Sequence, residues 1–343
     1  MRAHRHGWGK MEEIHVIHGE KINKVVSKKY NFIFDKETGF SMRWGETRDQ
    51  DPFWGPLPEL ADISISNRCN NNCPFCYRNS TPDGPLISIE EYEMILEQLP
   101  TTFQVALGGG EPTLHPDFID ILELTREYDI VPNYTTNGNN LTPEILEASK
   151  KHCGAVAVSW YPGALTALRK MVEYGIKTNI HFIVTPDSIS EAIGFIQNPD
   201  FFRDEGINAI IFLLHKAVGR GKPEDTPSYE DVKPMIEAVF ETTTPVGFDA
   251  CFMKHVATAD SEGTIEASWT FLDFCDASRF SIYIDENLIV QPCSFCLGEV
   301  YGESLEDKTV KEIWTGNKFQ RFRKLLREDP NVCPAIKLNS DLR

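Results

Sequence analysis

Cys69, Cys73 and Cys76 lie in the run Cys69-Asn70-Asn71-Asn72-Cys73-Pro74-Phe75-Cys76-Tyr77, a Cys-x3-Cys-x2-Cys spacing. This triplet constrains the chain more than any other feature. A cube of four irons and four sulfides has four iron corners, and each normally takes one thiolate. Three thiolates on one short loop ligate three corners and leave the fourth open. An open iron can chelate a small molecule and pass it an electron, so the fold must place the loop where a ligand reaches it. Zinc sites instead pair two separated Cys or Cys/His knuckles, and no His stands at ligand spacing beside the triplet. Disulfide frameworks belong to small secreted chains, whereas this one has 343 residues.

Bulk properties narrow the setting. A net charge of −17 argues against a general nucleic-acid binder. No apolar run approaches the length of a membrane span. The first residues lack an apolar h-region, so no secretory signal is expected. Free thiols without a secretion signal fit the cytoplasm. A chain of this length holds one large domain, or one plus a small one.

Residues 1–58 read as an N-terminal extension with a β-hairpin. Tyr30–Phe34 and Phe40–Trp44 flank the turn Asp35–Gly39. Strand–helix alternation then fills 59–248. Strands are expected at 63–65, 103–107, 130–135, 155–159, 177–184 and 207–214. Helices are expected at 89–99 (with Ser88 as N-cap), 118–128, 143–151, 164–174 and 189–196. Six short buried strands followed by helices mean a parallel sheet, which fits both doubly wound and barrel arrangements. Strand ends carry the distinctive residues. The second strand runs into Gly109-Gly110-Glu111-Pro112, the third into Thr136-Asn137-Gly138 and the fourth into Ser159. The fifth holds Asn179 and His181, and the sixth leads to Lys216-Ala217-Val218-Gly219-Arg220.

The triplet, with aromatic Phe75 before its third cysteine, and the Gly-Gly-Glu-Pro run together resemble the radical S-adenosylmethionine (radical SAM) superfamily. The resemblance implies an α/β fold, a partial (β/α)6 TIM-like barrel. It implies a SAM-binding 4Fe-4S cluster on Cys69, Cys73 and Cys76, with SAM held by Phe75, Gly109, Gly110, Glu111, Asn137, Ser159 and His181. His181 suits a hydrogen-bonded core role equally well. Lys216 and Arg220 suit a substrate carboxylate or plain surface ion pairs.

Cysteines return after residue 250, at 251, 275, 293, 296 and 333, and Cys153 reads as a core cysteine. Strand-like 280–284 and 288–290 flank the turn Asp285-Glu286-Asn287, placing a cysteine near each end of a hairpin. Ile313-Trp314, Phe319, Phe322, Leu325 and Leu326 follow at helical spacing. Residues 249–343 resemble the SPASM and twitch extensions, which hold auxiliary iron–sulfur clusters. Asn287 stands where that pattern usually has Gly, and Asn tolerates positive φ. Five cysteines rather than seven imply one auxiliary 4Fe-4S cluster, with Cys251, Cys275, Cys293 and Cys333 favoured as ligands. Cys296 is left as a ligand, a hydrogen-atom donor or an ordinary small residue, and a zinc knob is the alternative for the whole set.

The resemblance implies an enzyme that cleaves SAM to a 5′-deoxyadenosyl radical and modifies a residue of a ribosomally made peptide or protein. Crosslinking, epimerisation, excision and oxidation all belong to such families. The implied partners are the peptide substrate and a flavodoxin- or ferredoxin-type electron donor, with no nucleic acid and no membrane. Dehydrogenation of a small molecule is the alternative activity, and a non-catalytic iron–sulfur redox sensor is the alternative class. Asp249, Tyr161 and Cys296 are the leading candidates for proton or hydrogen transfer, with His255, Asp276 and Tyr283 behind them.

Overall fold

The computed structural model describes residues 14–267, 274–296, 298–329 and 333–336. It forms two compact units whose boundary in the chain is Pro56/Leu57. The first unit is an antiparallel sheet of β1 (His15–Ile17), β2 (Ile22–Val26), β3 (Asn31–Asp35) and β4 (Ser41–Trp44), paired in sequence order. Alternation sets its faces: Val25, Phe32 and Phe34 are buried, while Ile22 and Val26 are exposed. The β3–β4 pair is the hairpin expected around Asp35–Gly39.

The second unit is built on a ten-stranded sheet. Its strands are β5 (Leu60–Ser66), β6 (Gln104–Gly109), β7 (Val131–Thr136), β8 (Val156–Ser159) and β9 (Thr178–Val184), then β10 (Ala209–Leu214), β11 (Val246–Phe248), β12 (Ser281–Ile284), β13 (Ile289–Gln291) and β14 (Glu303–Ser304). The spatial order is β11-β10-β9-β8-β7-β6-β5-β12-β13-β14. From β5 to β11 the order never reverses, and every pair is parallel. Each crossover therefore steps the same way and leaves its helix on the same face of the sheet. A doubly wound sheet needs a reversal, so the winding is that of an open barrel.

Helices Ile89–Glu97, Phe118–Glu127, Pro143–His152, Ala164–Glu173 and Ile189–Ile196 follow β5 to β9 in turn. Ser88 caps the first, with Glu91 completing a capping box. The strand faces that meet the helices carry Val105, Leu107, Val158, Ile180, Phe182, Ile210 and Phe212, each at most 2% exposed. The opposite face is polar. Register aligns Asp62 with Ala106 and Asn133, and Thr135 with Ala157 and Asn179. With His181 two residues beyond Asn179, this face lines the barrel interior.

The six expected strands are β5 to β10, and the sheet extends beyond them at both edges. β11 adds a seventh parallel strand, and β12 pairs in parallel with β5 at the other edge. The β12–β13 hairpin was expected, but not that it would extend the barrel sheet. Its left-handed residue is Leu288 (φ 61), not Asn287. The Tyr229–Glu241 helix also escapes the sequence, because Pro234 lies inside it and reads as a terminator. The late apolar pattern forms two helices, Val310–Thr315 and Asn317–Glu328, broken at Gly316. Ile313, Trp314, Phe319, Phe322 and Leu326 are buried on them. Among the described residues, no helix is long and apolar enough to cross a membrane.

Candidate active site

Parallel strands end together, so the β5 loop with its three cysteines lies beside the glycine turn that ends β6. Gly110 N–H donates to Ser66 O at 2.5 Å and Glu111 N–H to Arg68 O at 2.8 Å. A side chain at Gly110 would place Cβ 2.2 Å from Arg68 O. Gly109 has φ 107, and its Cβ would lie 2.1 Å from Ser66 O. Glycine is required at both positions by this close approach.

Glu111 is 1% exposed. Its Oε1 accepts from Thr136 Oγ1 at 2.6 Å and from Thr113 Oγ1 at 2.7 Å, and its Oε2 accepts from Asn137 N–H at 2.6 Å. Burial raises its pKa against these donors. The carboxylate thus fastens the end of β6 to the end of β7, and Oε2 keeps acceptor capacity for a ligand ammonium. Asn137 Nδ2 bonds Asn70 Oδ1 at 2.8 Å and stands 3.9 Å from Cys69 Sγ. Asn71 N–H donates to the same sulfur at 3.4 Å.

The three thiols are half-buried and within electrostatic reach of one another. Burial, then the neighbouring charges of Glu111 and Cys76, push the Cys69 thiol up. Burial and the other two cysteines do the same to Cys73. Clustered thiols that resist ionisation by themselves ionise when a cation joins them. Soft thiolates supported by N–H donors suit an iron–sulfur cube.

Arg220 corrects its expected role. Its Nε donates to Cys73 O at 3.0 Å, its Nη1 to Ser80 O at 3.1 Å and its N–H to Cys76 O at 3.0 Å. It is a clamp on the cysteine loop, not a surface ion pair. Gly219 (φ 62) lies against the same loop, where Cβ would meet Tyr77 O at 2.4 Å. Ser159 pairs in register with His181 at the barrel interior. His181 Nδ1 lies 3.2 Å from Thr135 Oγ1, and burial lowers its pKa to about 4, so the ring is neutral near pH 7. Tyr161 O–H donates to Asn137 O and to Asn139 Oδ1, which ties it to the β7 turn.

The late cysteines gather on the hairpin side. Cys251 interacts with Cys275, Cys275 with Cys293 and Cys333, and Cys333 with Cys293. Cys296 is 7% exposed, with its Sγ 3.7 Å from that of Cys293. Thiolates on different corners of one cube each sit on their own iron, farther apart than that. Cys293 and Cys296 so placed do not occupy two corners of one cube. Among the described residues, no three His, Cys, Asp or Glu converge tightly enough for a single metal ion. Cys153 lies half-buried away from both groups, its thiol pushed up to about 12 by burial.

Two contacts join the loops. The rings of Tyr77 and Phe295 stand 5.0 Å apart, and each residue neighbours a cysteine of its own loop. Arg78 Nη2 pairs with Glu286 Oε2 at 2.5 Å, and Ser64 Oγ donates to the same oxygen at 2.6 Å. A cavity of 370 Å³ opens there, lined by Arg78, Asn79, Gly219, Asp285, Gln291 and Cys296.

Both segments match family models. Residues 63–161 match the radical SAM superfamily and residues 275–335 an iron–sulfur cluster-binding domain, SPASM. The chain is 35% identical over 89 residues to a 7,8-dihydro-6-hydroxymethylpterin dimethyltransferase of Methanocaldococcus jannaschii, covering 24% of this chain and 18% of that protein. It is 36% identical over 94 residues to a probable GTP 3′,8-cyclase of Pyrococcus abyssi, covering 26% of this chain and 30% of that protein. The chain thus spans less than a third of either. Similarity to the mycofactocin maturase MftC of Mycobacterium tuberculosis is broader: 32% over 292 residues, 76% of this chain and 71% of that protein. The chain belongs to the radical SAM superfamily. Its SPASM segment places it among members with an auxiliary cluster, and its cofactors are SAM and 4Fe-4S clusters. The fold matches that of Streptococcus suis SuiB bound to precursor peptide SuiA, with a TM-score of 0.73 and 17% identity over 90% of each chain. It also matches anSMEcpe with bound AdoMet, at 0.58 and 18% over 78% of this chain and 80% of that one.

One buried carboxyl of the barrel strands went unnoticed in the sequence. Asp62 interrupts the apolar strand Leu60–Ile65 and faces the barrel interior. Burial pushes its pKa up to about 6. A raised carboxyl pKa makes its contribution to stability full below about pH 4 and lost as pH rises through 6. Asp62→Asn is therefore expected to gain about 2–3 kcal/mol at pH 8 and almost nothing at pH 4. Denaturant unfolding at the two pH values checks this, and an equal effect at both would refute it.

Proposed function

We propose that the chain is a peptide-modifying radical SAM enzyme in which Cys69, Cys73 and Cys76 hold the SAM-cleaving cluster. Glu111 Oε2 and the Gly109–Gly110 backbone receive the SAM amino group, with Phe75, Asn137, Ser159 and His181 around the rest of the molecule. Cys251, Cys275, Cys293 and Cys333 hold the auxiliary cluster. When bound, SAM and its cluster supply a 5′-deoxyadenosyl radical that abstracts hydrogen from the substrate. Arg220 and Gly219 hold the cysteine loop in place. The Tyr77–Phe295 and Arg78–Glu286 contacts keep the two thiol groups at a fixed spacing. Burial keeps His181 neutral, so it brings no charge into the barrel interior beside bound SAM. Asp249, Tyr161 and Cys296 are candidates for proton or hydrogen transfer. Cys296 is the best placed, because it lines the cavity between the loops.

Similarity to a mycofactocin maturase across both cysteine segments carries the peptide reading, and a fold shared with SuiB, solved with its precursor peptide, supports it. The reading includes a flavodoxin- or ferredoxin-type electron donor and a cytoplasmic setting. The test is anaerobic coexpression with a short peptide encoded beside the enzyme's own reading frame, followed by mass spectrometry. A defined mass change in the peptide is expected. An unchanged peptide alongside 5′-deoxyadenosine formation would point to a small-molecule substrate instead.

A further inference from the structure

Lys216 follows β10 by two residues, and its side chain is 1% exposed. No protein oxygen or nitrogen completes a hydrogen bond to its Nζ, which is set against the Cys251 thiol. The nearest carboxylate oxygen is Asp249 Oδ2 at 3.9 Å. Asp249 Oδ1 is itself unpartnered. At 3.9 Å the two charges face each other without a hydrogen bond between them. A buried ammonium without a full partner costs several kcal/mol, so a structure that keeps one supplies another source of negative potential. Here Nζ stands 3.8 Å above the Phe295 ring, between Cys293 and Cys296 in sequence. It interacts with Cys251, Cys333 and Cys293, three of the four gathered late thiols.

We infer that Lys216 is a fixed positive charge held against the auxiliary cluster, stabilising its reduced form and raising its reduction potential. This rests on the assignment of Cys251, Cys275, Cys293 and Cys333 as ligands. A cube bound by four thiolates is negatively charged, and its potential follows net charge, hydrogen bonds to sulfur and burial. One electron enters on reduction, and no bond forms or breaks. Lys216 positions no substrate atom in this role, and Phe295 keeps water from screening the ammonium.

The test uses the full chain carrying Cys69→Ala, Cys73→Ala and Cys76→Ala, so that only the auxiliary cluster remains. The protein is reconstituted anaerobically and titrated redox-wise under EPR. Adding Lys216→Met is expected to shift the reduction equilibrium at least tenfold toward the oxidised form, about 59 mV lower for a one-electron couple. Lys216→Arg, which keeps the charge, is expected to stay near the parent potential. An unchanged midpoint in the Met variant at equal iron and sulfide content would overturn the inference. So would an Arg variant that falls as far as the Met variant, since packing rather than charge would then be responsible. Lys216→Gln gives the same comparison if the Met variant loses iron. A parent with no iron at all would refute the ligand assignment itself, an outcome distinct from an unaltered potential.

Discussion

Cys76→Ala is expected to abolish 5′-deoxyadenosine formation from SAM and reductant, with a loss above about 100-fold. Removing an outer-shell partner of a metal costs 10–100-fold, and a direct ligand costs more. The structure gives no substitute thiol. Cys153 lies apart from the loop, and the late cysteines occupy the hairpin side. Cys76 also receives structural attention from its surroundings, since its carbonyl accepts from the Arg220 N–H. That clamp survives the substitution, so the loss reads ligation rather than loop collapse. The measurement is anaerobic chromatography of the nucleoside product, with iron content determined alongside. Wild-type product formation by the Ala variant would remove the triplet from the chemistry.

Glu111→Gln is expected to destabilise the protein by about 2–4 kcal/mol and to weaken SAM binding at least tenfold. The carboxylate is acceptor-only, and each of its oxygens faces donors: Thr136 and Thr113 on one side, the Asn137 N–H on the other. An amide must turn its NH2 toward one of these sets. Donor then meets donor in a site 1% exposed, and charge-assisted hydrogen bonds are worth about 1.5–3 kcal/mol each. The lost negative charge also removes the partner offered to the SAM ammonium. Chemical unfolding reads the first effect, and equilibrium SAM binding to the folded fraction reads the second. A stable variant with unaltered affinity would show that Glu111 neither fastens the strand ends nor meets the ligand.

Much of this site was legible because it is local in sequence. Three thiols within eight residues cannot lie far apart, and two glycines before a glutamate announce a close backbone approach. Strand–helix alternation was legible because burial on one face repeats at fixed periods. Partners from distant strands were not. Arg220 was legible only as a ligand for a substrate carboxylate or a surface ion pair, because nothing nearby in the chain shows that its donors meet Cys73 O and Ser80 O. Asp62 was passed over because one carboxylate in an apolar strand has no local meaning until the barrel closes around it. The hairpin was expected, but its addition to β5 was not, since a strand's edge partner is a tertiary choice.

The amino-acid sequence by itself determined that the chain can hold an iron–sulfur cube with an open corner, because ligand number and spacing are properties of a short loop. Only the tertiary structure decided what surrounds that loop. Parallel strands ending at one level bring Glu111 beside it. The hairpin on the barrel edge carries the second thiol set into reach through Phe295 and Glu286. Burial strips Lys216 of solvating water, so its ammonium depends on the thiols, Asp249 and the Phe295 ring enclosed with it.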